Sequence, residues 1–121
     1  MIAGIGVDVV DLARFERALS RTPRLRDRLF GADEQVVDGR PRPLRSLAGR
    51  FAAKEALIKA LGGSDGVTWH DIAVVSGPQG DPDFRITGRL AALVEERGIA
   101  RIHLSMSHDA GIAVAYVVVE S

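Results

Sequence analysis

The stretch Gly49-Arg50-Phe51-Ala52-Ala53-Lys54-Glu55-Ala56-Leu57-Ile58-Lys59-Ala60-Leu61 constrains the fold more than any other. Its apolar side chains surround almost the whole axis of a helix running from Leu44 or Ser46 to Leu61 and ended by Gly62-Gly63. A helix that is apolar nearly all round has to be covered by other elements. Yet Glu55 and Lys59 sit one turn apart on one face, with Phe51 a further turn back. A carboxylate in such a place needs a partner, a metal or a proton. The plain alternative is an i,i+4 Glu55–Lys59 pair that contributes about a few tenths of a kcal/mol.

The rest of the chain supplies the cover. Residues 2–10 read as a strand with Gly4, Gly6, Asp8 and Val10 on one face and Ala3, Ile5, Val7 and Val9 on the other. The second face is apolar and is expected to meet the core. The first carries few side chains apart from Asp8, as where a ligand or another backbone comes close. A helix over 11–20 is capped by Asp11, and Thr22-Pro23 caps a second short helix to about Phe30. Residues 31–44 read as a loop. Strands are expected at Asp71–Ser76 and Asp83–Thr87, and a helix at 88–97. A closing hairpin pairs Ile102–Met106 with Ile112–Val119 and places His108 at its turn. The expected fold is α+β, a single domain over 1–121 in the order β-α-α-α-β-β-α-β-β, with a mainly antiparallel sheet packed on a long buried helix.

Charge and composition narrow the function. Sixteen Lys+Arg balance sixteen Asp+Glu, which argues against general binding to nucleic acid or an anionic membrane. The zero is a cancellation. Residues 1–50 carry ten cations and seven anions, net +3, and residues 51–121 carry six and nine, net −3. Arg14, Arg17, Arg21, Arg24 and Arg28 step by three and four along the first two helices, so they face an acidic partner or plain solvent. The chain has no cysteine, which excludes disulfides and thiolate chemistry. With no basic leader before Asp8, this points to a cytoplasmic protein. Asp8 and Glu55 offer hard oxygen ligands suited to Mg²⁺ completed by water and phosphate. Ser105, Ser107 and His108 suit phosphate contacts, because no Gly-x-Ser-x-Gly elbow is present. An Arg-rich RNA-binding α+β module without catalysis, and a structural trimer whose Glu55–Lys59 pair is only an ion pair, remain as alternatives.

Three segments together resemble the holo-acyl-carrier-protein synthases, a small class of 4′-phosphopantetheinyl transferases. They are Gly4-Ile5-Gly6-Val7-Asp8, the segment Gly49 to Ala60, and Leu104-Ser105-Met106-Ser107-His108. The resemblance spans essentially the whole chain. It implies transfer of the phosphopantetheine arm of coenzyme A to a serine of apo acyl carrier protein, releasing adenosine 3′,5′-bisphosphate with Mg²⁺. It implies Asp8 and Glu55 as metal ligands, and Glu55, Lys59 and His108 as catalytic residues. Glu55 would hold a water on the ion that takes the serine proton, and Lys59 would meet the pyrophosphate. Arg50, Lys54, Lys59, Ser105, Ser107 and His108 would lie along coenzyme A. Arg14, Arg17, Arg21 and Arg24 would dock the acidic carrier protein. Glu34 carries over as structural. The resemblance also implies a homotrimer with sites at subunit boundaries.

Overall fold

The computed structural model describes all of residues 1–121. Its centre is the long helix α3 (Leu44–Leu61), and the other elements are arranged by how they cover it. Before it come β1 (Ile2–Asp11), α1 (Leu12–Arg21), α2 (Leu25–Leu29), β2 (Val36–Val37) and β3 (Arg40–Pro41). After it come β4 (Ile72–Ser76), β5 (Pro82–Ile86), α4 (Gly88–Glu96), β6 (Arg101–Asp109) and β7 (Ile112–Glu120). All strand pairs are antiparallel. The main sheet has the order β1-β7-β6, while β4-β5 and β2-β3 form two separate ribbons. No helix is long and apolar enough to cross a membrane.

The expected α+β order holds, with α3 packed on the main antiparallel sheet. Leu47, Ala48, Ala52, Ala53, Ala56 and Leu57 are fully buried, as an all-round apolar helix requires. Gly62 ends it in the left-handed conformation (φ 80°), which glycine adopts without a Cβ penalty. Asp11 caps α1 by accepting from the Arg14 N–H at 2.9 Å. Phe15 of α1 stacks on Phe51 of α3 with ring centroids 5.5 Å apart, which fixes α1 beside the helix.

The expected faces of β1 are reversed. The glycine face is the one that meets α3. A Cβ on Gly4 would lie 2.0 Å from the Ala60 carbonyl oxygen, and one on Gly6 would lie 1.9 Å from that of Ala56. The helix backbone fills the space that bare strand offers, so these glycines make room for α3 and not for a ligand. The opposite, apolar face points outward: Ile5 is 54% and Val9 56% exposed. Neighbouring β7 continues it with Tyr116, 51% exposed and paired with Val7.

Three further expectations are corrected. Residues 31–44 are not a plain loop. They hold a 3-10 turn (Ala32–Glu34) and the small β2-β3 hairpin, whose Asp38-Gly39 turn takes positive φ at both residues (53° and 75°), the primed geometry that Asp-Gly favours. The N-cap of α2 is Arg24, not Thr22-Pro23. The closing hairpin turns at Ala110-Gly111, both at positive φ, so His108 lies within strand β6 and not at its turn.

Glu34 and Lys54 form the polar centre of the core. Lys54 is 0% exposed. Its ammonium donates to Glu34 Oε1 at 2.6 Å and to the Leu29 carbonyl at 2.6 Å, and lies 5.0 Å from the Phe30 ring centroid. Burial pushes its pKa down, and the Glu34 carboxylate opposes that. Glu34 Oε2 accepts the Val74 N–H at 3.1 Å, so one carboxylate joins the turn at 32–34, α3 and β4.

Two stability predictions follow from these contacts. Gly6→Ala forces a methyl group into the α3 backbone and is expected to cost at least about 2 kcal/mol in urea unfolding; an unchanged midpoint would contradict the contact. Lys54→Ala leaves the Glu34 charge buried alone and is expected to cost about 3 kcal/mol or more. Replacing both together, Lys54→Met with Glu34→Leu, should recover part of that loss, since no charge is then stranded.

Candidate functional site

The site residues lie on two flanks of α3. On the first flank, strand β1 brings Asp8 to the helix. Gly6 and Asp8 share a strand face, and Gly6 rests on Ala56, the neighbour of Glu55. That contact puts Asp8 and Glu55 on one groove, of about 360 Å³, a size typical of small-molecule sites. Arg14, Phe15 and Phe51 complete much of its wall.

Lys59 does not pair with Glu55, against the simple i,i+4 reading. Its ammonium reaches across to Asp8 Oδ1 at 3.0 Å and to the Val7 carbonyl at 3.1 Å. The lysine side chain is 53% exposed, so it is free to exchange this partner for a phosphate. The Glu55 carboxyl is pushed up from the usual carboxylate range, first by burial and then by the charge of Asp8, with Lys59 opposing.

The donor set suits one kind of ion. Asp11 is occupied in capping α1, whereas Glu55 has no partner on this groove and Asp8 holds only the exchangeable Lys59 ammonium. No third His, Asp or Glu joins them to make a closed metal cage. A small hard ion such as Mg²⁺ takes one or two carboxylates and fills its remaining positions with water and substrate phosphate. Two partly buried carboxylates on one groove fit that role.

The second flank holds a pocket of about 350 Å³. Arg45, Ser46, Gly49 and Arg50 of α3 face Met106, Ser107 and His108 of β6 across it. Gly49 allows this approach, since a Cβ there would lie 2.9 Å from the Met106 methyl. Arg50 is half-buried, and its Nε is buried without a partner. Burial, then the nearby Arg42 charge, push its pKa below the usual guanidinium range. A partly buried cation with a spare donor is a natural anion contact.

The structure thus gathers Arg50, Ser107 and His108 in one place, and Asp8, Glu55 and Arg14 in another. It does not join the two groups within one chain. Asp8 is on edge strand β1 and His108 on the opposite edge strand β6, with β7 between them, roughly 10 Å of sheet at the usual strand spacing. Two residues expected along coenzyme A lie outside that pocket. Lys54 is wholly buried and spends its donors on Glu34 and main-chain carbonyls, so no ligand reaches it. Ser105 lines a different hollow, beside His103, Tyr116 and Val118 on the outer face of the sheet, while Ser107, two residues nearer the hairpin turn, reaches the pocket.

Sequence reasoning missed Arg45, Ser46, Gly49 and Met106 on the second flank. The i,i+4 relation of Ser46 to Arg50 was available as a clue. Arg14, Arg17, Arg21 and Arg24 are all exposed along α1 and the start of α2. None forms an ion pair, which leaves them open to an acidic partner.

Comparison with known proteins identifies the family. A family model described as the 4′-phosphopantetheinyl transferase superfamily matches residues 4–117. A holo-[acyl-carrier-protein] synthase of Leifsonia xyli is 63% identical over 120 residues, covering 99% of this chain and 98% of that protein. The crystal structure of the Neisseria meningitidis holo-[acyl-carrier-protein] synthase superposes with a TM-score of 0.89 at 35% identity, covering both chains fully. That of the Helicobacter pylori enzyme in complex with coenzyme A gives 0.82 at 33% identity, covering 96% of this chain and 99% of that one. With the sequence match and the fold in agreement, the chain belongs to the 4′-phosphopantetheinyl transferase superfamily and groups with its holo-[acyl-carrier-protein] synthases.

Proposed function

We propose that the chain moves the 4′-phosphopantetheine arm of coenzyme A onto a serine hydroxyl of apo acyl carrier protein, in a Mg²⁺-dependent reaction that releases adenosine 3′,5′-bisphosphate. The observation that carries this reading is the placing of Asp8 and Glu55 on one groove, with the ammonium of Lys59 at Asp8. Phosphoryl transfer needs positioning and charge neutralisation more than covalent chemistry. When bound, Mg²⁺ would supply charge neutralisation at the pyrophosphate, held by Asp8 and Glu55. Lys59 moves from Asp8 to the pyrophosphate and neutralises the leaving phosphate. Glu55, partly shielded from water, takes the serine proton through a water molecule. Arg50 and His108, with Ser107 beside them, hold the phosphates of coenzyme A on the other flank.

The carrier protein docks on α1. Arg14 stands both on the carboxylate groove and at the head of the unpaired stripe Arg14, Arg17, Arg21 and Arg24. An acidic helical partner laid on that stripe would deliver its serine to Glu55. The working form is a homotrimer in which the phosphate pocket of one copy meets the carboxylate groove of the next. The uncovered apolar face of β1 and β7 supports this, as does the division of the site between the flanks of α3. A large exposed apolar patch marks an interaction surface.

The reading is tested by incubating the protein with coenzyme A, Mg²⁺ and apo carrier protein and weighing the carrier. A gain of the phosphopantetheine mass is expected, and no gain would overturn the assignment. Asp8→Asn and Glu55→Gln should each lower the rate by about 10²-fold or more. A wild-type rate in Glu55→Gln at saturating Mg²⁺ would remove its proton-transfer role. Arg14→Ala with Arg21→Ala should raise the carrier KM and weaken its salt dependence, with little change in kcat; an unchanged KM sinks the docking surface. Tyr116→Asp should yield monomers by light scattering and abolish turnover, whereas an active monomer would refute the shared site.

A further inference from the structure

We propose that Arg42 and Ser46 are positioning residues that hold the Arg50 guanidinium in the orientation that receives a phosphate group of coenzyme A. The proposal rests on the coenzyme A reading of the second flank and extends it to Arg42, a side chain that does not line that pocket.

Arg50 Nη1 donates to Ser46 Oγ at 2.8 Å, one helical turn back. Arg42 Nη1 donates to the same oxygen at 3.2 Å. Both lone pairs of one hydroxyl are therefore spent on two cations. Arg42 is in turn fixed by its Nε, which donates to the Glu34 carbonyl at 2.7 Å. Glu34 is itself rigid, because its carboxylate accepts from Lys54, Val74 and Gly31. A continuous set of hydrogen bonds thus runs from the buried core to a half-buried guanidinium on a pocket wall.

The arrangement is costly without an anion. Two guanidiniums stand close enough for Arg42 to lower the pKa of Arg50. Arg45 adds a third cation to the pocket wall. The one carboxylate whose charge acts on Arg50, Glu34, is already engaged by Lys54. Arg50 Nε is left buried with no acceptor, although buried donors are nearly always satisfied. A phosphate would relieve both the crowded charge and the orphan donor. An arginine fork binds phosphate well only when its plane is correctly set, and Ser46 with Arg42 sets it. A merely structural role, such as securing the first turn of α3, would alter melting but not discriminate between substrates.

The test uses the full chain and compares the KM values for coenzyme A and for apo carrier protein, together with direct coenzyme A binding by calorimetry. Arg42→Ala and Ser46→Ala should each raise the coenzyme A KM and Kd about tenfold or more, the loss expected for one hydrogen bond to a charged group. The carrier KM should stay at its wild-type value. Ser46→Thr, which keeps the hydroxyl, should restore coenzyme A binding even if Ser46→Ala proves poorly folded. On an Arg50→Ala background, Arg42→Ala should add almost nothing, since residues acting through one group are not additive. An undiminished Arg42→Ala effect on that background would show that Arg42 acts independently and would overturn the proposal. So would a lowered Tm with unchanged coenzyme A affinity. If Arg50→Ala weakens coenzyme A binding while Arg42→Ala does not, positioning is wrong and the pocket assignment stands. If Arg50→Ala has no effect, the pocket assignment itself fails.

Discussion

The contact between the backbone of α3 and the bare strand at Gly4 and Gly6 sets the position of almost everything else. A strand with side chains on that face would stand off from the helix by the thickness of a residue. With glycine there, the carbonyls of Ala56 and Ala60 come down onto the strand itself. The residues next to these two alanines are Glu55 and Lys59, and the residue two beyond Gly6 on the same face is Asp8. The same close approach that seals the core therefore brings three charged side chains together at its margin. Close packing of small residues is costly to disturb, so the spacing of that group is held by the contact of α3 on β1.

The cations are distributed by their surroundings. Lys54 is drawn inside because Glu34 and two main-chain carbonyls satisfy it there. Lys59 remains at the surface with a single carboxylate partner that it can exchange. The arginines of α1 and the start of α2 face water, and Arg42, Arg45 and Arg50 collect at the start of α3. In the proposed reaction the anionic groups would meet two separate cationic regions of the chain. In the proposed assembly the uncovered apolar face of β1 and β7 is what brings such flanks from different copies together.

Much of the architecture was legible from periodicity. The all-round apolar helix, its glycine stop, the Asp11 cap and the antiparallel closing hairpin each rest on a local rule, and local rules survive into the fold. The same reasoning failed at β1, where it assumed that the more apolar face must be the inner one. A helix backbone prefers a surface without side chains, and the apolar face is left for another surface to cover. It also failed to separate Ser105 from Ser107: both lie in β6, and only the residue nearer the hairpin turn reaches the pocket. The Asp38-Gly39 turn was readable as a hairpin, but two-residue strands are too short to show a period.

What the sequence determined by itself was which chemical groups the protein owns and which elements carry them: two acids suited to a hard ion, one helix that must be buried, an arginine stripe facing outward. Its three motifs also indicated the family. Only the tertiary structure decided which of the two lysines of α3 meets solvent, since Lys54 and Lys59 differ not in chemistry but in the helix face each occupies. Only the fold decided that Asp8, 47 residues from Glu55 along the chain, shares a groove with it. No local propensity encodes such a distance; the meeting depends on long-range packing, in which one strand without side chains lets a helix settle against it.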